Sequence, residues 1–225
     1  MSREEIISLL SLKEEGEIKQ LFHAARSLRQ RYFGEKVFLY GFIYFSTYCR
    51  NYCTFCAYRA PNKLCKRYRK TESEVIEVAL RLAESGVHLI DLTMGEDPFY
   101  YLGDSGFKSL VELAGRVKVE TGLPVMVSPG VVPKQVLVDL ADIGVDWYAC
   151  YQETHNRQLF RCLRPYQSYD SRLEEKYFAK ESGLLVEEGI LAGVGESAID
   201  IATSMEVMQD MGAHQVRVMS FIPQE

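Results

Sequence analysis

The 225-residue sequence contains no apolar run of about eighteen residues, the length a helix needs to cross a bilayer, so no membrane span is expected. It also lacks an apolar signal core. Met1-Ser2-Arg3-Glu4-Glu5 opens with charges of both signs, and a cytoplasmic, reducing location is expected. Excess positive charge is missing as well: 26 Lys and Arg against 31 Asp and Glu leave a net charge of −5. That balance argues against nucleic acid as a main partner. The one basic cluster, Lys63, Lys66, Arg67, Arg69 and Lys70, is short and reads as a solvated face. No repeat, low-complexity tract or linker breaks the chain, so one domain over 1–225 is expected, with N-terminal helices over 1–34 and barrel strands over 35–225. The cysteines do not have the spread of a secreted disulfide framework, since three of the six crowd into eight residues. At 47% hydrophobic, the chain is large enough to bury one core without such staples.

What is present is a regular alternation of strand and helix patterns. Two helices come first. A capping box, Ser2-x-x-Glu5, opens one, and Ile18, Leu21, Phe22, Ala25 and Leu28 form the apolar stripe of the next, which Gly34 ends. They are expected to cap one end of the fold. Strands follow at about 37–45, 87–92, 123–127, 145–150, 184–191 and 214–219. Helices lie between them, opened by Thr71-x-x-Glu74, Pro133 and Ser197 and closed by Gly86, Gly122, Gly144, Gly183 and Gly212. Such alternation means a parallel sheet with right-handed crossovers. Periodicity alone leaves open a doubly wound sheet or a partial (β/α)6 TIM-like barrel.

In either fold the chemistry gathers where the strands end. The first strand runs into Cys49-Arg-Asn-Tyr-Cys53-Thr-Phe-Cys56. Three thiols on one strand-exit loop are read three ways: buried cysteines, a zinc half-site needing a fourth ligand, or an iron–sulfur loop with one iron lacking a protein ligand. The second strand ends in Asp91-Leu-Thr-Met-Gly95-Glu96-Asp97-Pro98 and the third in Ser128-Pro129-Gly130. The fourth ends in Tyr151-Gln-Glu153-Thr-His155, with Arg161, Arg164 and Arg172 downstream. A carboxylate suits ribose hydroxyls, and an Arg fork suits a carboxylate. His155 reads as a solvent-facing loop residue. Gly193-Val-Gly195 follows the fifth strand. Arg217 lies between Val216 and Val218 on the sixth, so it points away from them and into a barrel if the valines face helices. A buried Arg needs an anion, either a structural partner such as Asp91 or a ligand carboxylate. No role is read for Cys65, Cys150 or Cys162, and Trp147, the sole Trp, reads as packing.

The C-x3-C-x-Phe-C motif after the first strand resembles the radical S-adenosylmethionine (SAM) superfamily. The resemblance implies a [4Fe-4S] cluster on Cys49, Cys53 and Cys56 and a SAM molecule chelating the open iron. It favours the partial (β/α)6 barrel. It places Phe55, Gly95, Glu96, Ser128, Glu153, Arg164, Arg172 and Gly193 around SAM, as in the biotin synthase-like branch. Longer blocks are more specific: Tyr44-Phe-Ser-Thr-Tyr-Cys49, Asp91 to Pro98, Tyr151-Gln-Glu-Thr, Gly193-Val-Gly and Val216-Arg-Val-Met-Ser-Phe-Ile-Pro-Gln-Glu225. These are similar to the methylornithine synthases of pyrrolysine biosynthesis. That likeness implies isomerisation of L-lysine to (3R)-3-methyl-D-ornithine through hydrogen abstraction, fragmentation and recombination. It also implies Asp91 on a substrate amino group, Arg217 on the α-carboxylate, and a low-potential donor such as a ferredoxin or flavodoxin. Members of that family continue past Pro-Gln-Glu, so the chain is expected to lack their C-terminal third. Another biotin synthase- or hydrogenase-maturase-like enzyme shares the cluster and SAM residues, and a structural metal module would need the cysteines alone.

Overall fold

A computed structural model describes residues 1–223 of the chain. Gln224 and Glu225, the last residues of the sixth-strand block, lie outside them. Six strands form one parallel sheet in sequential order: β1 (Tyr40–Ser46), β2 (Leu89–Met94), β3 (Val125–Ser128), β4 (Trp147–Ala149), β5 (Leu185–Ala192) and β6 (Gln215–Ser220). Helices α3 (Glu72–Glu84), α4 (Asp104–Thr121), α5 (Lys134–Asp142), α7 (Tyr169–Glu181) and α8 (Ala198–Met211) carry the crossovers. A short α6 (Arg157–Leu163) precedes α7. It was not expected from sequence, and at seven residues it is too short for a periodic signal. β1 and β6 do not pair, so the sheet is an open partial barrel.

Strand alternation divides the core in two. Ile43, Phe45, Ile90, Leu92, Val125, Val127, Tyr148 and Val186 pack outward against the helices. The concave side carries a smaller cluster, Leu89, Met126 and Ala149, with Tyr40, Trp147 and Tyr151 against it. The two free edges meet through side chains across this interior. The Tyr40 hydroxyl donates to Gln215, and the Arg217 guanidinium lies 5.6 Å and 5.2 Å from the Tyr40 and Phe42 ring centres. Val216 and Val218 face the other way as expected, but they are largely exposed rather than helix-covered.

The predicted capping boxes open α1 (Arg3–Leu10) and α3, and Ser197 opens α8. The N-terminal helices are less of a cap than their apolar stripes suggest. α1 lies against α8, where Arg3 pairs with Glu206 and donates to Thr203. α2 (Glu15–Phe33) buries none of its residues and leaves Phe22, Leu28 and Phe33 exposed.

Candidate active site

The loop leaving β1 is shaped by arginines that the sequence reads as surface charge. Arg67 donates to the carbonyls of Thr47, Tyr58, Arg59 and Asn62, gathering both arms of the cysteine loop on one guanidinium. Arg69 forms a two-pronged pair with the fully buried Asp97, at 2.7 Å on each oxygen, and Ser46 donates to the same carboxylate. The basic cluster is therefore partly structural: buried backbone carbonyls and a buried acid need cationic donors.

These contacts press the loop after β2 onto the cysteine loop. A Cβ on Gly95 would lie 2.4 Å from the Tyr48 carbonyl oxygen and 2.7 Å from Cys49 Cβ. Glu96 accepts from Arg50 at 3.0 Å through its side chain, and its carbonyl accepts from the Arg50 amide. Cys49, Cys53 and Cys56 then line one cavity of about 260 Å³ with Phe55, Gly95, Glu96, Ser128, Glu153, Arg164 and Arg172. Among the described residues, no three Cys, His, Asp or Glu side chains converge closely enough to hold a single metal ion. The three thiols line one shared space, and thiolates so placed can take iron or zinc. Burial raises the Cys49 thiol and pushes Cys56 up to about 11; metal binding has to displace those protons. Cys53 accepts from Arg164 at 3.4 Å and from Gln167 at 3.1 Å, donors suited to a thiolate.

The far wall is built on β4 and its exit. Glu153 is buried at a φ of 68°, held there by the Gly189 carbonyl and the Leu191 amide. A non-glycine residue in this region costs on the order of 1–3 kcal/mol and marks a constrained site. Its carboxylate meets Arg164 at 2.6 Å, and burial raises its pKa while Arg164 opposes that rise. Arg164 lies 5.2 Å over the Phe55 ring. Its Nε, buried, has no hydrogen-bond partner among the described residues. Arg172 donates to the Tyr151 carbonyl at 2.7 Å and stands 3.7 Å from Glu96. Two guanidiniums and two carboxylates thus flank the thiols, suited to a ligand with both carboxylate and hydroxyl groups. Gly193 is not among the lining residues. It sits beyond β5 at a φ of 91°, where its amide donates to Glu196.

On the concave face of the strands, Asp91 is buried and accepts from Thr93 at 2.9 Å and Ser128 at 3.1 Å. Burial lifts it to about 6. Arg217 does face the interior, but its partner is Glu187 on β5, at 2.7 Å, rather than Asp91. Glu187 is fully buried and also accepts from the Tyr151 hydroxyl. Sequence reasoning missed it, although a signal existed: Glu187-Glu188 are adjacent acids in an apolar strand, so they must point to opposite faces. Glu188 points outward to a buried Lys176. His155 joins that outer cluster, 3.8 Å from Glu188, with its side chain fully buried and burial lowering its pKa to about 4. The solvent-facing reading of His155 is thereby overturned: the residues after β4 pack against α7 and α8, with Lys176 donating to Gln152 and the His155 amide to Ser204.

The radical SAM superfamily profile matches residues 43–208. The 3-methylornithine synthase of Methanosarcina acetivorans is 44% identical over 225 residues, covering all of this chain and 63% of that protein. The [FeFe] hydrogenase maturase subunit HydE of Thermotoga maritima is 32% identical over 99% of this chain and 62% of its own length. A crystal structure of methylornithine synthase superposes with a TM-score of 0.94 at 44% identity, over all of this chain and 65% of that one. The hydrogenase maturase HydG shares the fold, with a TM-score of 0.86 at 24% identity. The chain spans less than two thirds of the curated relatives it matches.

Proposed function

The chain belongs to the radical SAM superfamily, and from that premise we propose that it is the catalytic barrel of a lysine mutase forming 3-methylornithine. The observation that carries this reading is the stacking of two sites in one half-barrel. A thiol-lined cavity with two arginines and two carboxylates lies at the strand ends, and Asp91 and Arg217 share the interior beneath it. An α-amino acid carries an anion and a cation, so Asp91 and the N–H groups of Arg217 that Glu187 leaves open suit it.

In this reading Cys49, Cys53 and Cys56 hold a [4Fe-4S] cluster. With SAM bound, that group supplies a 5′-deoxyadenosyl radical able to take a hydrogen atom from a substrate carbon. The protein binds and orients. Arg172 takes the SAM carboxylate, with Arg164 beside it, and Glu153 the ribose hydroxyls. The Gly95–Glu96 backbone receives the amino group, and Phe55 and Ser128 complete the wall; Gly193 passes the adenine further along the strand ends. Asp91 holds a substrate ammonium and Arg217 the α-carboxylate. The electron such a cluster would need would come from a low-potential donor, a ferredoxin or flavodoxin, in the cytoplasm.

The test is anaerobic reconstitution with iron and sulfide, followed by SAM, L-lysine and a strong reductant. Mass spectrometry is expected to find 5′-deoxyadenosine and methylornithine from the parent and neither from Cys53→Ala. Deoxyadenosine with no methylornithine would refute the lysine assignment while leaving the radical chemistry standing.

A further inference from the structure

The charges of the lower barrel interior do not balance. Asp91 and Glu187 are both buried on the concave face, and Arg217 is the cation beside them. The other titratable groups there, among the described residues, are, besides His214 at the floor beside Trp147, the phenols of Tyr40, Tyr44 and Tyr151. All three are held neutral, their pKa values raised first by burial. Higher up, two carboxylates face three guanidiniums, Glu96 with Arg50 and Arg172 and Glu153 with Arg164, so no negative excess lies there. The excess of one negative charge therefore belongs to the lower interior. It is carried by the pair Asp91 and Glu187 against Arg217.

We propose that Glu187 sets the charge preference of this interior, making it select an amino acid with a second ammonium group over a neutral-side-chain analogue. The inference rests on the reading that this space holds an amino acid. An α-carboxylate docked on Arg217 arrives beside Glu187, and a like charge there is repelled. A substrate with two ammonium groups has a net charge of +1 and brings the interior to zero. A simple zwitterion leaves the excess uncompensated in a space where water is partly excluded, and such an imbalance is costly. Glu187 also fixes Arg217. With Nε engaged at 2.7 Å and one terminal nitrogen at 3.3 Å, the remaining N–H groups are the ones left to present to a ligand. It acts through Arg217 and through the field, as a positioning residue.

The experiment compares L-lysine with L-norleucine, which has nearly the same shape and no side-chain ammonium. Binding to the anaerobically reconstituted, SAM-loaded protein is measured by calorimetry at pH 8, above the range where Asp91 titrates. The parent is expected to prefer lysine by at least tenfold. In Glu187→Gln that preference falls by about tenfold, with norleucine bound as well as before or better, which also shows that the variant is folded. Glu187→Asp keeps the parental preference because it keeps the charge. An unchanged lysine-to-norleucine ratio in Glu187→Gln overturns the proposal and leaves the lysine reading intact. Equal loss of both ligands also overturns it, since Glu187 would then only hold the site together. Failure of the parent to bind either amino acid removes both this proposal and the reading beneath it.

Discussion

Gly95 shows how little room the site leaves at single positions. A methyl group there meets the Tyr48 carbonyl and Cys49 Cβ at distances no relaxed contact reaches, and both obstacles belong to the cysteine loop. Gly95→Ala is expected to lower bound iron after reconstitution and to destabilise the fold by about 1–3 kcal/mol, read by iron assay and thermal unfolding. Asp91 makes a pH prediction. Its folded pKa of about 6 lies above the ordinary value of 3.8, so the folded state holds the proton more tightly than the unfolded chain. That stabilisation is complete below pH 4 and is lost as pH rises through 6. Asp91→Asn should therefore raise the unfolding free energy at pH 8, by on the order of 2 kcal/mol, and show little gain at pH 4, as denaturant unfolding at the two pH values would read. Legibility at this scale followed chemistry and spacing. The three cysteines announce themselves, and Asp91 and Arg217 stand out as charges in apolar strands. The partner of Arg217 was not legible, because Glu187 lies thirty residues upstream and only strand pairing brings them together. His155 was misread because nothing in its neighbours tells that the chain turns inward after β4.

Among the elements, caps were the most readable feature, since a capping box is a local device whose partners lie three residues apart. Thr71 accepts from the Glu74 amide while Glu74 accepts from the Thr71 amide. Thr71→Ala should cost about 1 kcal/mol, measurable by denaturant unfolding. Apolar stripes were a poorer guide. The stripe of α2 resembles that of α3, yet α3 buries Val75, Ile76 and Ala79 whereas α2 buries nothing. Periodicity tells which face is apolar and not whether another element comes to cover it. Hydrogen exchange should separate the two, with α2 amides exchanging well before those of α3 despite the greater length of α2.

At the scale of the molecule, the parallel half-barrel was legible from alternation together with the motif resemblance, and its openness shows in the absent β1–β6 pairing. If lysine binds in the interior, a concentration one hundred times its Kd should add about 2.7 kcal/mol to stability in thermal unfolding, by mass action alone. Trp147 offers a way to watch the same space in real time. It is the only tryptophan of the chain, and it packs on the concave face with Leu89 and Met126, edge-on to His214 at 6.2 Å. Its intrinsic emission therefore comes from one address, the floor of the barrel. Whatever fills, dries or reshapes that chamber should register as a change in colour or intensity, with no label attached.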